Sequence, residues 1–225
     1  MAAKKFVYFF DEGNKDLKEL LGGKGANLCE MTVLGLPVPP GFTITTEVCG
    51  LYYENNKQHP EGLKEQVAEH LQRLESEMGK KLGDENDPLL VSVRSGAAQS
   101  MPGMMDTILN LGLTDKSVLG LAQKTGNERF AWDAYRRFIQ MFGNVVMGIK
   151  GSNFEHELEK IKEAKGVEVD TALDAADLQR VVEGYKRVIQ EIKNDSFPQD
   201  PHQQLWMAID AVFGSWNNDR AILYR

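Results

Sequence analysis

Beyond Gly112 the sequence stops offering strands. From residue 114 to residue 199 its apolar residues recur only at helical spacing, in four segments separated by caps and breakers. Thr114 stands where a cap for the first belongs, and Gly126 where that helix should end. The second carries Phe130, Ala134, Phe138, Met141 and Val145 on one stripe. The third opens on Ser152-x-x-Glu155, the pattern of a capping box, sets Phe154, Leu158 and Ile161 on one face and stops at Gly166. The fourth runs from a cap at Asp174 through Leu178, Val181, Val182, Tyr185, Val188 and Ile192. After the break Phe197-Pro198-Gln199-Asp200-Pro201, Asp200 is suited to cap and Pro201 to open one more helix, with Leu205, Ile209, Val212, Phe213 and Trp216 on its buried side.

Strands therefore have to come from the first half. Phe6 to Phe10 reads as a short strand. Leu20-Leu21-Gly22-Gly23-Lys24-Gly25 then runs into a helical pattern with Leu28 and Met31 one turn apart, and Gly35 sits where a C-terminal glycine belongs. Leu36-Pro37-Val38-Pro39-Pro40-Gly41 cannot be helical, because proline lacks the amide donor and restricts the residue before it. Phe42 to Thr45 is a strand by β-branching and alternation. Leu63, Val67, Leu71, Leu74 and Met78 mark one face of an amphipathic helix. Past Asp87-Pro88, the stretch Leu89 to Arg94 alternates as a strand and delivers Arg94 near its C-terminal end.

Three segments could carry chemistry. Gly22-Gly23-Lys24-Gly25 before a helix suits an anion, since glycines let amides turn inward, the helix start adds partial positive charge and lysine a full one. It is not a Walker A loop, and a glycine turn that merely starts a helix reads the same way. Ser92-Val93-Arg94-Ser95-Gly96-Ala97-Ala98-Gln99-Ser100 can present a guanidinium fork and amides to phosphate, or hold an edge-strand arginine paired with a carboxylate. Met101-Pro102-Gly103-Met104-Met105 before Asp106 and Thr107 is adaptable core packing or, after that arginine, a soft lining beside a nucleotide.

Other residue types point to bland roles. His59, His70, His156 and His202 lack zinc spacing and read as surface or capping residues. Arg136-Arg137 and Lys160, Lys162 and Lys165 read as solvated faces, with a docking surface as the other reading. Cys29 and Cys49 read as reduced thiols. A net charge of -7 with mixed signs argues against a nucleic-acid surface. No stretch approaches the roughly 20 apolar residues of a membrane span, and the opening apolar run is too short for a signal peptide. The expectation is a cytoplasmic protein without nucleic-acid or membrane partners.

Taken together the segments are familiar. Leu21-Gly22-Gly23-Lys24-Gly25-Ala26-Asn27-Leu28 with Gly35-Leu36-Pro37-Val38-Pro39-Pro40-Gly41-Phe42 resembles the opening of the dikinases that make phosphoenolpyruvate, shared with phosphoenolpyruvate synthases and antibiotic-modifying phosphotransferases. Val91 to Gly96, continuing through Met101 to Leu113, resembles the pyruvate, phosphate dikinases, where the synthases carry an Arg-Ser-Ser-Ala-Thr-type segment instead. Arg129 to Met141 and Arg220 to Arg225 fit the same family, so the resemblance covers essentially the whole chain.

The resemblance implies an α+β fold, an ATP-grasp-like N-terminal lobe with a helical insertion. The residues themselves set the insert at 114–199, all-helical, with 1–113 and 200–225 as the lobe, and its cap-delimited helices without glycine-rich anion loops are expected to supply no phosphate ligand. It implies a reaction that interconverts ATP, phosphate and pyruvate with AMP, diphosphate and phosphoenolpyruvate through a phosphohistidine on a separate swinging domain. Lys24 and Arg94 match the family's phosphate-contacting lysine and arginine, and Gly103 and Thr107 its nucleotide-contacting loop glycine and threonine. Lys24 and Arg94 are thus expected to be catalytic and to converge on one triphosphate, in a cleft bordered by Gly103 and Thr107.

The carboxylates that hold Mg²⁺, the adenine hinge, the phosphohistidine and the pyruvate barrel are expected outside this chain. The chain is accordingly expected to be an inactive fragment whose partners are ATP and the remaining domains of a homodimeric enzyme. A fragment of a phosphoenolpyruvate synthase-like dikinase, and a non-catalytic interaction module with a vestigial nucleotide site, are the alternatives. The presence of both Lys24 and Arg94 favours the enzyme reading.

Overall fold

The computed structural model describes residues 4–98 and 106–224. Over them the chain is helix-rich with small sheets, an α+β protein. It forms two compact units. The first gathers 4–79, 95–98 and 213–224, and the second 80–94 and 106–212.

In the first unit β1 (Val7–Phe9) pairs antiparallel with β2 (Phe42–Ile44), Val7 opposite Ile44 and Phe9 opposite Phe42. The outer side of β1 is covered by a side chain of α3 (Leu63–Met78). Gln66 Oε1 accepts from Phe6 N at 2.7 Å and Val7 N at 3.2 Å, and its Nε2 donates to Lys4 O at 2.8 Å. An exposed strand edge is a template for wrong pairing, and this amide occupies part of it. It is held there because Leu63, Val67, Leu71 and Leu74 are all buried, whereas Met78, expected on the same face, is 40% exposed in the last turn. In α1 (Lys18–Val33) Gly25 leaves no room for a side chain, since a Cβ there would lie 2.9 Å from Thr43 Oγ1 of β2. The helix stops where the sequence indicated. Gly35 takes φ 74°, with Gly35 N bonded to Thr32 O and Leu36 N to Met31 O, both at 3.0 Å, which is a Schellman stop. From α2 (Thr46–Glu54) Tyr53 donates to Phe213 O at 3.1 Å, securing the chain's return into this unit.

In the second unit the strand expected over Leu89–Arg94 is two strands. β4 (Pro88–Leu89) runs parallel to β3 (Lys81–Leu82), and β5 (Val91–Arg94) runs antiparallel to β6 (Thr107–Leu111). Neither β3 nor β6 was expected. Val93 faces Ile108 but Val91 faces Leu111, so β6 carries one extra residue, and Asn110 there takes φ 58°. A bulge interrupts the period of two that sequence reading relies on. Asparagine reaches the left-handed region more cheaply than most residues.

The helices follow as α4 (Ser117–Thr125), α5 (Glu128–Val145), α6 (Gly151–Lys165), α7 (Ala175–Lys193) and α8 (Pro201–Ser215), with α9 (Asp219–Tyr224) completing the chain in the first unit. Thr114 Oγ1 accepts from Ser117 N at 3.1 Å, Gly126 closes α4 at φ 64°, Asp174 and Asp177 form a capping box, and Asp200 Oδ1 accepts from His202 N at 2.9 Å. The Ser152–Glu155 box does not form: α6 begins at Gly151, and Lys150 before it provides no side-chain cap. The buried face of α5 is also rotated from the expected stripe. Ala131, Ala134, Tyr135, Phe138, Ile139 and Phe142 are buried, while Phe130 is 50% exposed. Tyr135 can enter the core because its hydroxyl reaches Asp115 Oδ1 at 2.8 Å. Its ring, with Phe138 and Phe142, meets Phe197 edge-on at 6.1, 5.6 and 5.5 Å.

The boundaries expected at 113/114 and 199/200 do not coincide with the two units. β6 lies with the helices, Leu109 N approaching Met141 Sδ of α5 at 3.2 Å. Gln204 of α8 is fully buried, accepts from Gly112 N at 3.2 Å, and donates to Leu113 O at 3.0 Å and Pro198 O at 2.8 Å. Two of the basic residues read as solvated are in fact enclosed. Arg136, 4% exposed, binds Asp133 at 2.8 Å and Asp170 at 3.1 Å, and Lys162, 8% exposed, binds Glu159 at 2.8 Å and Asp170 at 3.5 Å. The single turn around Asp170 supplies carboxylate and carbonyl groups that no local pattern announces, with Arg129 also donating to Asp170 O at 2.9 Å. Burial pushes the neighbouring Tyr185 phenol up to about 12, so it stays neutral beside Arg136.

Replacing Gln204 by Leu should leave the Gly112 amide and the Leu113 and Pro198 carbonyls without this partner. Unfolding in urea should show a loss of about 3 kcal/mol, at about 1–3 kcal/mol per stranded buried group discounted for relaxation. Asp177 gives a pH-dependent counterpart. Lys165 first, then the Asp174 amide and Arg180, hold its carboxyl down to about 2 from an ordinary 3.8, against the opposing effect of burial. A depressed folded value stabilises above the unfolded one, and that stabilisation disappears as pH falls from about 4 towards 2. Asp177→Asn should flatten the fall in stability across that window, followed by circular dichroism during acid titration.

Candidate phosphate-binding site

The glycine turn and the segment after Arg94 meet in the first unit as backbone against backbone. Gly22 has φ 71° and ψ 164°, a kink within α1 after which the helix resumes at Gly23. A Cβ at Gly22 would lie 3.1 Å from the Gly96 carbonyl carbon and 3.2 Å from the Ala97 nitrogen. Gly22 thus answers two demands at once, positive φ and close approach. Gly23 N donates to Ala97 O at 2.8 Å, so that amide is engaged inside the protein rather than offered to an anion. Lys24, exposed on the next position, donates from Nζ to Ser95 O at 3.1 Å. An ammonium has three donors, and this bond uses one of them.

The second unit holds the other two placed candidates. Arg94 ends β5, is exposed, and lies directly across from Thr107, the first residue of β6. Directly opposed residues of an antiparallel pair share a face with Cβ atoms about 5 Å apart. The positions of Arg94 and Thr107 thus share one face of this sheet. Neither Lys24 nor Arg94 forms an ion pair with a described residue, and Glu30, a candidate partner for Lys24, is taken by Lys15 at 3.6 Å. Gly103 and the methionine loop, Met101 to Met105, lie outside the described residues.

Sequence reading missed the partner strand of Arg94. The signal was present in Thr107, Ile108 and Leu111, but the bulge at Asn110 hid its alternation. It also missed the role of the 95–97 backbone, whose carbonyls and peptide meet the glycine turn. Among the described residues no three His, Cys, Asp or Glu side chains gather as metal ligands, and no helix is long and apolar enough to cross a membrane.

The sequence matches the family model described as pyruvate phosphate dikinase, AMP/ATP-binding domain, over residues 18–73 and 56–225. It is 62% identical over 214 residues to a chloroplastic pyruvate, phosphate dikinase of Mesembryanthemum crystallinum, an alignment covering 95% of this chain and 22% of that protein. Similarity to the pyruvate, phosphate dikinase of Clostridium symbiosum is 57% identity over 222 residues, 98% of this chain and 25% of the relative. For that of Rhizobium meliloti (strain 1021) the figures are 56% over 225 residues, 98% and 25%. The chain spans about a quarter of the length of these relatives. Because the family model and these alignments run through the glycine turn, Arg94 and the helices alike, the chain belongs to the pyruvate phosphate dikinase AMP/ATP-binding domain family.

Proposed function

We propose that this chain is the N-terminal, ATP-binding part of a pyruvate, phosphate dikinase, built as one lobe of an ATP-grasp fold with a helical insert. The complete enzyme would interconvert ATP, phosphate and pyruvate with AMP, diphosphate and phosphoenolpyruvate, using a phosphohistidine carried by another domain. The observation that carries the reading is the cross-strand pair at the end of β5. It supports the reading by setting Arg94, which forms no ion pair with a described carboxylate, directly across the sheet from Thr107. Arg94 suits two oxygens of a phosphate at once, and Lys24 adds a compact point charge with two donors still available.

Phosphoryl transfer asks a protein mostly to position groups and neutralise charge. Each of these cations would contribute on the order of a hundred- to a thousandfold in rate by holding charge that develops on the transferring group. Gly103 and Thr107 belong to the same proposed contact set. In the complete enzyme Mg²⁺ would neutralise charge on the phosphates, held by carboxylates of other domains. Homodimeric assembly, docking to the remaining domains and a cytoplasmic location belong to the same reading.

In the complete enzyme, Lys24→Ala or Arg94→Ala should reduce the ATP-dependent half-reaction by about a hundredfold or more while sparing the pyruvate–phosphoenolpyruvate half-reaction. Measuring the two exchange reactions separately checks this, and equal loss of both would indicate a folding defect instead. The chain by itself should form no AMP in response to pyruvate and phosphate, assayed in a preparation free of full-length enzyme. Any ATP affinity it retains should be weak and fall with added salt, as expected of solvent-exposed cations.

A further inference from the structure

Lys24 sits on a long, flexible stem at an exposed position, and a free ammonium there would sample many directions. Two features narrow that freedom. Its Nζ is bonded to the Ser95 carbonyl at 3.1 Å, and the residue before it is bonded through its amide to the Ala97 carbonyl at 2.8 Å. Both carbonyls belong to the segment that directly follows Arg94. Both bonds lie beside Gly22, where a Cβ would stand 3.1–3.2 Å from the Gly96–Ala97 peptide and any side chain would be strained by φ 71°. Gly25, by contrast, is required by the packing of α1 on β2 and bears on the fold rather than on Lys24.

We infer that Gly22 is a positioning residue for Lys24: it lets the 95–97 backbone clasp the glycine turn, so that the Ser95 carbonyl aims the ammonium before a phosphate arrives. This rests on the reading of Lys24 as a phosphate contact. A pre-aimed cation loses less freedom on binding than a mobile one, and the bond to Ser95 leaves two of its donors for the ligand. Nothing covalent occurs in this step.

The test is a double-mutant cycle in the complete enzyme, reading the ATP-dependent and pyruvate-dependent half-reactions alongside the melting temperature. Gly22→Ala should lower kcat/KM for ATP by about tenfold or more, the scale of a small misplacement of a catalytic group, with the pyruvate-dependent half-reaction unchanged. Introduced into Lys24→Ala, it should cost nothing further on the ATP side, because the group it positions is gone. Additive losses, equal loss of both half-reactions, or unaltered ATP kinetics in Gly22→Ala would each overturn the inference. Should Gly22→Ala fail to fold, Gly23→Pro carries the same cycle, since it removes the amide that donates to the Ala97 carbonyl at a first helical position that proline's φ suits. Lys24→Ala with normal ATP kinetics would instead sink the site assignment itself. A damaging Lys24→Ala with a silent Gly22→Ala would sink only the positioning role.

Discussion

The amide of Gln204 ties the end of β6 to the approach to α8 inside the second unit. That unit is assembled from 80–94 and 106–212. Residues 112 and 113, where the chain leaves β6, and Pro198, where it leaves the helices, are bound by one fully buried side chain from the first turns of α8. Ser117 Oγ adds a bond to Gly112 O at 3.0 Å. A buried amide with donor and acceptor both engaged specifies one arrangement, because any slip strands polar groups in a dry interior. The aromatic cluster around Phe197 supplies apolar burial beside it, but rings tolerate small displacements that hydrogen bonds do not.

The same logic of enclosed polar groups explains the charge distribution. Arg136 and Lys162 are spent on Asp170 and its neighbours inside the helical unit, where removing one partner would leave the others buried and uncompensated. Lys24 and Arg94 differ in that both heads are exposed and neither is neutralised by a described carboxylate. A protein with 33 acidic residues has carboxylates enough to pair its cations, so charge left open at the end of β5 is compatible with an external anion.

The three glycines of the turn illustrate how one short motif divides its labour. Gly22 provides positive φ and close approach, Gly23 an amide for Ala97, and Gly25 the absent side chain that lets α1 lie against Thr43. The motif read as a nest for anions therefore works in large part inward, on the protein's own backbone, and leaves the ammonium of Lys24 as its outward chemistry.

The α+β class, the helical character of 114–199 and the helix stops at Gly35 and Gly126 were legible in the sequence. So were the caps at Thr114, Asp174 and Asp200. Each depends on residues within a few positions of one another, and the chemistry of a cap or a 3.6-residue stripe is local. The motifs around Lys24 and Arg94 were legible too, because they are contiguous. Tertiary structure alone decided that Arg94 faces Thr107, since a bulge at Asn110 cancels the alternation that would have announced β6. It alone buried Arg136 and Lys162, turned α5 so that Phe130 faces outward, and set Gly22 against residues 96 and 97. These outcomes are contacts between segments distant in the chain, where the partner's position determines whether a charge is solvated or enclosed.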